Sequence, residues 1–409
     1  MFSLRNLATY FAVLPSLTLL SAAGVYCSLE IARSAYDSLA PTLAQRNAAT
    51  NIIPWSAEYQ VRLADLRRAS GLAFTSNLAA AVRSRRADSR LWIQLGLAEE
   101  QDGDFKSAET SLLRGATLGR DYETRWTLTN FYFRRADRDQ AVLWACAVLS
   151  IPGVEAGPVF SLLANFPAKP DCILSDRFSG PESARLGYLQ WLISKSELDA
   201  ASPVADLLSR KRYPESVLPL LDYCDRLLFA GKGRLAARLW NSMSNQDLVS
   251  APIPAIGAVT DDGLRLADPP HGFAWRTLPV PGAGFLPLHP GLQISLSGTQ
   301  PDSCELLFQW VLLEPGPAHA LRYRYASSGI GIGSGLHWKI TAPSGLNGPG
   351  ISVRDPETDF HDHGATEDSV YFNGPPGGSL IHVALVYERA PLSVPARGWI
   401  RLEKVWLTE

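Results

Sequence analysis

The spacing of aromatic residues in the middle of the chain constrains its fold more than any other feature. Trp92, Trp126 and Phe160 follow one another at intervals of 34 residues. Apolar residues between them recur every three or four positions, which is the period of one face of an α-helix. A unit of this length holds two helices and a turn, and it cannot bury its apolar side without a neighbouring unit. The period therefore predicts a stack of helix pairs.

The best-defined unit indicates how its two helices pack. It contains Trp92-Ile-Gln-Leu-Gly-Leu, then Gly103-Asp-Phe-Lys-Ser-Ala, followed by Leu112 and Ala116. This order resembles the tetratricopeptide repeat (TPR), although Asn130 replaces the glycine in the next unit. The resemblance implies small residues where the helices approach and bulky ones in the seam between repeats. It also implies a concave scaffold that binds a protein partner and has no chemistry of its own.

Helical periodicity extends on both sides of this unit. Residues 55–82 are expected to form a preceding helix pair, and residues 227–240 a helix, a glycine turn and a second helix. We therefore predict TPR-like helical repeats over residues 31–250. In this interpretation Trp92 and Trp126 are core residues of the repeats.

The first thirty residues form an uncharged interval between Arg5 and Glu30. About 20 largely apolar residues suffice to cross a bilayer, and Pro15 is tolerable in a membrane helix. A cleaved signal peptide ending at Ser21-Ala-Ala is the competing interpretation, but the apolar character continues beyond that site. The pattern favours an uncleaved transmembrane helix over residues 1–30. It predicts a single-pass membrane protein, with residues 6–29 in the membrane and most of the chain outside the cytoplasm.

The composition changes near residue 251 to dense Gly and Pro with short alternating runs. Tyr323 and Tyr325, for example, alternate with Arg322 and Arg324, which is typical of a half-buried strand. Eight to ten such strands in about 150 residues predict an antiparallel β-sandwich over residues 255–409. The fold class is thus multidomain α plus β: a transmembrane helix, a TPR-like solenoid and a sandwich.

The order of the strand motifs is more specific. The motifs are Phe273-Ala-Trp-Arg-Thr, Gln309-Trp-Val-Leu-Leu-Glu-Pro-Gly, Leu321-Arg-Tyr-Arg-Tyr, Leu336-His-Trp-Lys-Ile and Gly398-Trp-Ile-Arg-Leu-Glu-Lys-Val-Trp-Leu. This order resembles the jelly-roll sandwich of the carbohydrate-binding-module and galactose-binding-like superfamily. Together with the anchor and repeats, it is similar to TPR proteins of bacterial envelopes linked to exopolysaccharide systems. This resemblance implies a location in the bacterial inner membrane, with most of the chain in the periplasm.

A glycine run, Gly329-Ile-Gly-Ile-Gly-Ser-Gly, suggests a phosphate-binding loop at first sight. A dinucleotide fingerprint needs G-x-G-x-x-G and a following helix, whereas this run lacks that spacing and precedes the strand pattern His337-Trp-Lys-Ile-Thr. We therefore expect an inter-strand loop and no nucleotide partner. The net charge of −2 also gives no drive toward nucleic acid.

Two sets of residues are candidates for ligand chemistry. A glycan platform needs exposed aromatic faces, although each aromatic here also fits a core position of a strand. The candidates for this platform are Trp275, Trp310, Trp338, Tyr371 and Trp399. A metal site could be formed by Asp359, His361, His363 and Glu367, with structural calcium as the one cofactor considered; a polar surface loop is the alternative.

Other signals of chemistry are weak. The five cysteines are far apart and include no CxxC pair, so scattered buried thiols are expected. Neither a Gly-x-Ser-x-Gly elbow nor a His-Glu-x-x-His motif occurs, and we predict no enzyme. The predicted function is a membrane-anchored envelope scaffold whose repeats bind a protein and whose sandwich binds glycan or braces an assembly in exopolysaccharide synthesis or export. The alternatives are a polysaccharide-modifying enzyme using the His361–Asp368 loop, or a purely structural protein-interaction module.

Overall fold

The computed structural model of the chain describes residues 4–37, 42–166, 171–175, 178–249, 252–266, 270–314, 318–343, 360–374 and 380–408. The chain forms two compact units. The first is Met1–Cys172 with Arg177–Gly180, and the second is Ile173–Asp176 with Pro181–Glu409. Helices and antiparallel sheets are both present, which confirms the α plus β class. The domain limits 1–30, 31–250 and 255–409 remain predictions.

Most of the described residues up to Ser244 are helical. The helices are α1 (Leu4–Asp37), α2 (Leu43–Ile52), α3 (Ala57–Ala69), α4 (Thr75–Ser84), α5 (Ser89–Gln101), α6 (Phe105–Leu118), α7 (Tyr122–Arg134), α8 (Arg138–Leu149), α9 (Gly157–Leu163), α10 (Asp171–Leu174), α11 (Glu182–Ser194), α12 (Leu198–Ser209), α13 (Val217–Phe229) and α14 (Gly233–Ser244). A short 3₁₀ helix, Pro214–Ser216, precedes α13. Pairs α3/α4, α5/α6, α7/α8, α11/α12 and α13/α14 each pack together.

These five pairs share one turn geometry. In each, the second residue after the first helix has a positive φ; these residues are Gly71, Gly103, Ala136, Ser196 and Gly231. The next N–H donates to the carbonyl five residues back, as from Asp104 to Glu99 (2.9 Å) and from Asp137 to Tyr132 (3.0 Å). This is the Schellman end of a helix. The recurring turn makes the helix pairs a repeating unit, as the 34-residue period predicted.

Aspartates begin the helices of the two central pairs. Asp88, Asp104, Asp121 and Asp137 are the N-caps of α5 to α8, and each carboxylate accepts a backbone N–H of the first turn. Such a cap satisfies a helix donor that has no partner within the helix. For Asp121, the bond from the Thr124 N–H at 2.9 Å holds the pKa of the carboxyl below its usual range.

Small residues set the distance between α5 and α6. A Cβ on Gly96 would lie 2.6 Å from Cγ of Leu112, and one on Gly115 would lie 2.8 Å from Cδ1 of Ile93. Ala108 and Leu112 are fully buried at the same contact. The packing roles that the TPR resemblance implied for Gly96 and Ala108 are thus present in the structure.

The N-terminal helix corrects the predicted localisation. Although α1 is 34 residues long, no helix in the described residues has a stretch apolar enough to cross a membrane. Absence of charge is not the same as apolarity, because hydroxyl residues such as Ser21 and Ser28 interrupt the run; they bond to the carbonyls of Thr18 and Gly24. The prediction of a single-pass inner-membrane protein anchored through residues 6–29 is therefore wrong.

One pair of cysteines also differs from expectation. Cys146 on α8 and Cys172 on α10 form a disulfide with their Cα atoms 6.3 Å apart. They are 26 residues apart in sequence, so only the tertiary fold brings them together. Cys224 is a buried thiol, as expected, whereas Cys27 is exposed.

The C-terminal part of the second unit contains two antiparallel sheets. The strands are β1 (Arg276–Thr277), β2 (Ala283–Pro287), β3 (Leu292–Ser297), β4 (Ser303–Leu312), β5 (Ala318–Ser328), β6 (Leu336–Thr341), β7 (Thr366–Asn373), β8 (Leu380–Glu388) and β9 (Arg397–Thr408). The four-stranded sheet has the order β1-β4-β8-β6, and the five-stranded sheet has the order β2-β3-β9-β5-β7. The glycine run 329–335 connects β5 to β6, so a strand and not a helix follows it.

Alternate residues of the two sheets meet in one hydrophobic core. In β5, Tyr323 and Tyr325 enter this core while Arg322 and Arg324 point away from it. Inward residues of the four-stranded sheet, among them Trp338 of β6, join the same cluster. Each sheet therefore has one buried inner face and a second, outer face.

Helices α13 and α14 pack against the sheet region within the second unit. Asp225 of α13 accepts the N–H of Gly272 (2.8 Å), contacts Nδ1 of His271 (2.6 Å) and pairs with Arg276 of β1. Trp240 of α14 packs edge-on against Phe273. A buried ion pair and an aromatic contact thus fix this helix pair to the sheets.

Candidate functional site

A shallow groove lies between the first helices of two successive repeats. Its volume is about 90 Å³, and its floor is formed by Phe74, the N-cap of α4, and by Leu78 of α4. Its rims carry Asp65 and Arg68 of α3 and Gln94, Leu97 and Gln101 of α5. The groove lies within the first unit and follows α5 along its length.

The α5 rim presents a mixed surface. Gln94, Leu97 and Gln101 are spaced by three and four residues, which places them on one helix face. Leu97 is 40% exposed between the two amides. Farther along, Glu100 accepts two hydrogen bonds from Arg134 of α7 at 2.8 and 2.7 Å, which joins adjacent repeats. The face offers one apolar contact and several hydrogen-bonding groups.

Three of the aromatic residues predicted for glycan binding lie in the interior. Trp275 and Trp338 are buried with ring centroids 6.1 Å apart, and the indole N–H of Trp275 donates to the Asp261 carbonyl. Trp310 is also buried, because Phe229 of α13 covers it edge-on at 5.5 Å. Core packing therefore removes these three rings from a surface platform.

The other two candidates lie on the outer face of the five-stranded sheet. Tyr371 of β7 is 65% exposed, and Trp399 of β9 is half-buried. Trp406 of β9 shares this face, since its neighbours Val405 and Leu407 point toward the core. Trp406 was not among the candidates named from the sequence. Strict alternation along β9 would place Trp406 on the face opposite to Trp399, so the sequence alone gave no reason to group them.

Charged groups surround these rings. Trp406 pairs in register with Arg322, and Lys404 Nζ lies 5.3 Å from the Trp406 ring centroid. Glu367 lies 3.7 Å from Arg322 and 3.5 Å from Arg324. The outer face of the five-stranded sheet thus combines aromatic surfaces with hydrogen-bonding groups of both charges.

The predicted metal ligands are placed only in part. His361 and His363 have ring centroids 5.3 Å apart, and their carbonyls accept hydrogen bonds from Ser327. Glu367 contacts arginines, and Asp359 lies outside the described residues. Over the parts of the chain that are described, no three His, Cys, Asp or Glu residues form a group suited to a metal ion. A metal or calcium site here remains a prediction.

An acid–base pair that the sequence did not indicate lies on the outer face of the four-stranded sheet. Glu305 Oε1 and His382 Nε2 are 3.7 Å apart. The imidazole lies beside the rings of Phe308 and Trp310, with centroids at 4.9 and 4.7 Å. The imidazole of this pair therefore lies in largely apolar surroundings.

The apolar surroundings disfavour both charged forms. Burial raises the pKa of Glu305 to about 7, against the opposing effect of Lys339. Burial, aided by Arg276, lowers the pKa of His382 to about 4. Near neutral pH the imidazole is therefore uncharged, and the Glu305 carboxyl is close to half protonated.

Comparisons with known proteins give limited information. No protein-family model matches the chain, and no curated protein sequence is significantly similar. Among solved structures, Pseudomonas aeruginosa PilF is 16% identical, covering 50% of this chain and 86% of that one with a TM-score of 0.25. The TPR domain of P58(IPK) is 15% identical over 55% and 60%, with a TM-score of 0.20. The GH115 4-O-methyl-α-glucuronidase BtGH115A is 12% identical over 78% and 48%, with a TM-score of 0.19.

These scores are too low to carry an argument about function. The TPR-like character of the helical part rests on its own geometry: the 34-residue period, the shared turn of the five helix pairs and the close contact at Gly96. Those features define a class, a helical-repeat chain followed by two antiparallel sheets.

Proposed function

We propose that this chain is a protein-interaction scaffold whose repeats bind a segment of a partner protein along the groove between α3 and α5. The observation that carries the proposal is the groove itself, formed by two successive repeats and lined by an exposed leucine between two amides. Helical-repeat arrays use such extended faces to bind other proteins.

The chemistry of the rims indicates an extended peptide. Gln94 and Gln101 each present a donor and an acceptor, which suits the backbone of a strand-like segment. Leu97 offers an apolar contact for a partner side chain. Asp65 and Arg68 pair with each other at 3.3 Å, so the α3 rim has no net charge and selects no strongly charged partner.

A matched pair of leucine variants tests the proposal. Leu97→Glu introduces a charge into the groove, whereas Leu113→Glu places the same charge on α6 at a leucine of similar exposure, 37% against 40%. We expect a partner captured by the unaltered chain to be retained by the Leu113 variant and lost by the Leu97 variant, and the purified partner to behave likewise in calorimetry. Equal capture by both variants would contradict the groove as the binding site.

A second proposal concerns the sheets. We propose that they form a jelly-roll sandwich that holds a glycan on the outer face of the five-stranded sheet. Its support is the arrangement of Tyr371, Trp399 and Trp406 on that face beside Arg322 and Lys404. Aromatic faces and hydrogen-bonding side chains are the groups that a sugar ring requires.

A glycan array with the full chain tests this second function. Tyr371→Ala and Trp406→Ala should each abolish binding of the sugar that the unaltered chain selects. Trp55→Ala removes an equally exposed aromatic residue from outside the sheets and should leave binding unchanged. Binding that survives the Tyr371 and Trp406 changes would contradict this face as the glycan site.

A further inference from the structure

A cleft in the second unit has the size and lining of a small-molecule site. It encloses about 610 Å³ between α14, the segment that precedes the sheets and the end of β4. Ligand pockets commonly fall between about 300 and 1,000 Å³. The cleft involves none of the residues of the α3/α5 groove or of the outer face of the five-stranded sheet.

One wall of the cleft is cationic. Arg234, Arg238 and Asn241 lie four and three residues apart, on the face of α14 opposite the buried Leu239 and Met243. Both arginines are exposed, and within the described chain neither has a carboxylate within 4.0 Å. Two like charges one turn apart repel each other. The wall is therefore suited to an anion that bridges both guanidinium groups.

The opposite wall is apolar apart from Glu314, whose exposed side chain also lines the cleft. Leu312 and Leu313 of the β4 end face the cleft together with Pro254 and Ile256, and Ile256 is 57% exposed. Asn241 calls for a hydrogen-bond donor on the ligand, because its Oδ1 is buried and has no hydrogen-bond partner among the described residues. Buried acceptors are nearly always paired in native proteins. A ligand hydroxyl or N–H beside the anionic group would satisfy it.

We propose that this cleft binds a small organic anion with an apolar body. The anionic head, a carboxylate or a phosphate, pairs with Arg234 and Arg238, since guanidinium forks match both groups. The apolar body lies against Leu312, Leu313 and Ile256. The proposal is independent of partner binding by the repeats and of glycan binding by the sheets.

Four probes with the same six-carbon body test the charge requirement: hexanoate, hexyl phosphate, hexan-1-ol and hexylammonium, titrated into the full chain by ligand-observed NMR. Hexanoate or hexyl phosphate should bind saturably and at least about tenfold more tightly than hexan-1-ol, and hexylammonium should not bind. The tighter anion identifies the head group. Equal affinity for the alcohol and both anions, or no saturable anion binding up to about 10 mM, overturns the proposal.

Variants locate the binding. Arg234→Gln with Arg238→Gln should weaken anion binding about tenfold or more, because two charge-assisted bonds are lost. The control, Arg210→Gln with Arg397→Gln, removes two exposed arginines from elsewhere in the same unit and should leave the affinity unchanged. Ile256→Ser should weaken the binding of both anions without affecting the fold, since the Ile256 side chain is exposed. Equal weakening by the two arginine double variants would place the anion elsewhere and overturn the assignment.

Discussion

The carboxyl of Glu305 makes a pH-dependent contribution to stability that can be worked out from its surroundings. Its pKa of about 7 lies above the ordinary 4.5, so the folded chain holds this proton more tightly than the unfolded chain. The stability that this proton provides is complete below about pH 4.5 and is lost as the pH rises through about 7. The full difference corresponds to about 3 kcal/mol. Because the side chain keeps 27% exposure, we expect about 1–2 kcal/mol.

The variant Glu305→Gln isolates this effect, since glutamine is neutral at every pH. It should leave the free energy of unfolding nearly unchanged at about pH 4.5 and raise it by about 1–2 kcal/mol at about pH 8.5. Urea unfolding that is monitored by hydrogen exchange in peptides from β4 and β8 reports on the second unit separately. As a control, Glu403→Gln alters a strand glutamate that has Arg401 at 3.8 Å, and it should show no such gain at high pH. A stabilisation by Glu305→Gln that is the same at both pH values would refute the reasoning.

Three further substitutions test the packing. Ala136→Gly relieves a left-handed residue in the α7/α8 turn and should raise the free energy of unfolding by about 0.5–1 kcal/mol in urea titrations; a loss would show that this turn is not strained. Gly96→Ala pushes a methyl group into Leu112, which should cost about 1–3 kcal/mol of stability and lower the melting temperature. An unchanged melting temperature would contradict this close packing. Asp225→Ala leaves Arg276 buried without its carboxylate partner and should cost about 3–5 kcal/mol in chemical unfolding. Adding Arg276→Met should recover part of this cost, because the Gly272 N–H also loses its acceptor; no recovery would mean that the ion pair is not the cause.

The helical repeats could be predicted because their signals are local. The period from Trp92 to Trp126 and the small residues at Gly96 and Ala108 describe contacts within one or two helix pairs. The groove between α3 and α5 was beyond sequence analysis, because it depends on which side chains of separate helices remain exposed. The Cys146–Cys172 disulfide was missed for a related reason, since the two cysteines are 26 positions apart and only folding brings their thiols together.

The strands could be located from alternation, but two register shifts changed which face their residues occupy. The shift between Glu305 and Leu307 places these residues on opposite faces of β4, so Glu305 reaches His382 while Leu307 enters the core. A second shift, in the pairing of β5 with β9, accompanies the placement of Trp399 and Trp406 on one face. Bulges of this kind depend on the partner strand, and an isolated sequence does not reveal them.

The attachment of α13 and α14 to the sheets bears on how such a chain could evolve. A recombination event near residue 251, where the composition changes, would carry Arg276 into a new protein without the carboxylate of Asp225. It would also separate Trp310 from Phe229, which covers its ring. A transfer of the sheets alone would therefore break both of these contacts. The unit that can be transferred intact is the helix pair α13/α14 together with the sheets. A relative that has the sheets without these helices should carry compensating changes at Arg276 and Trp310.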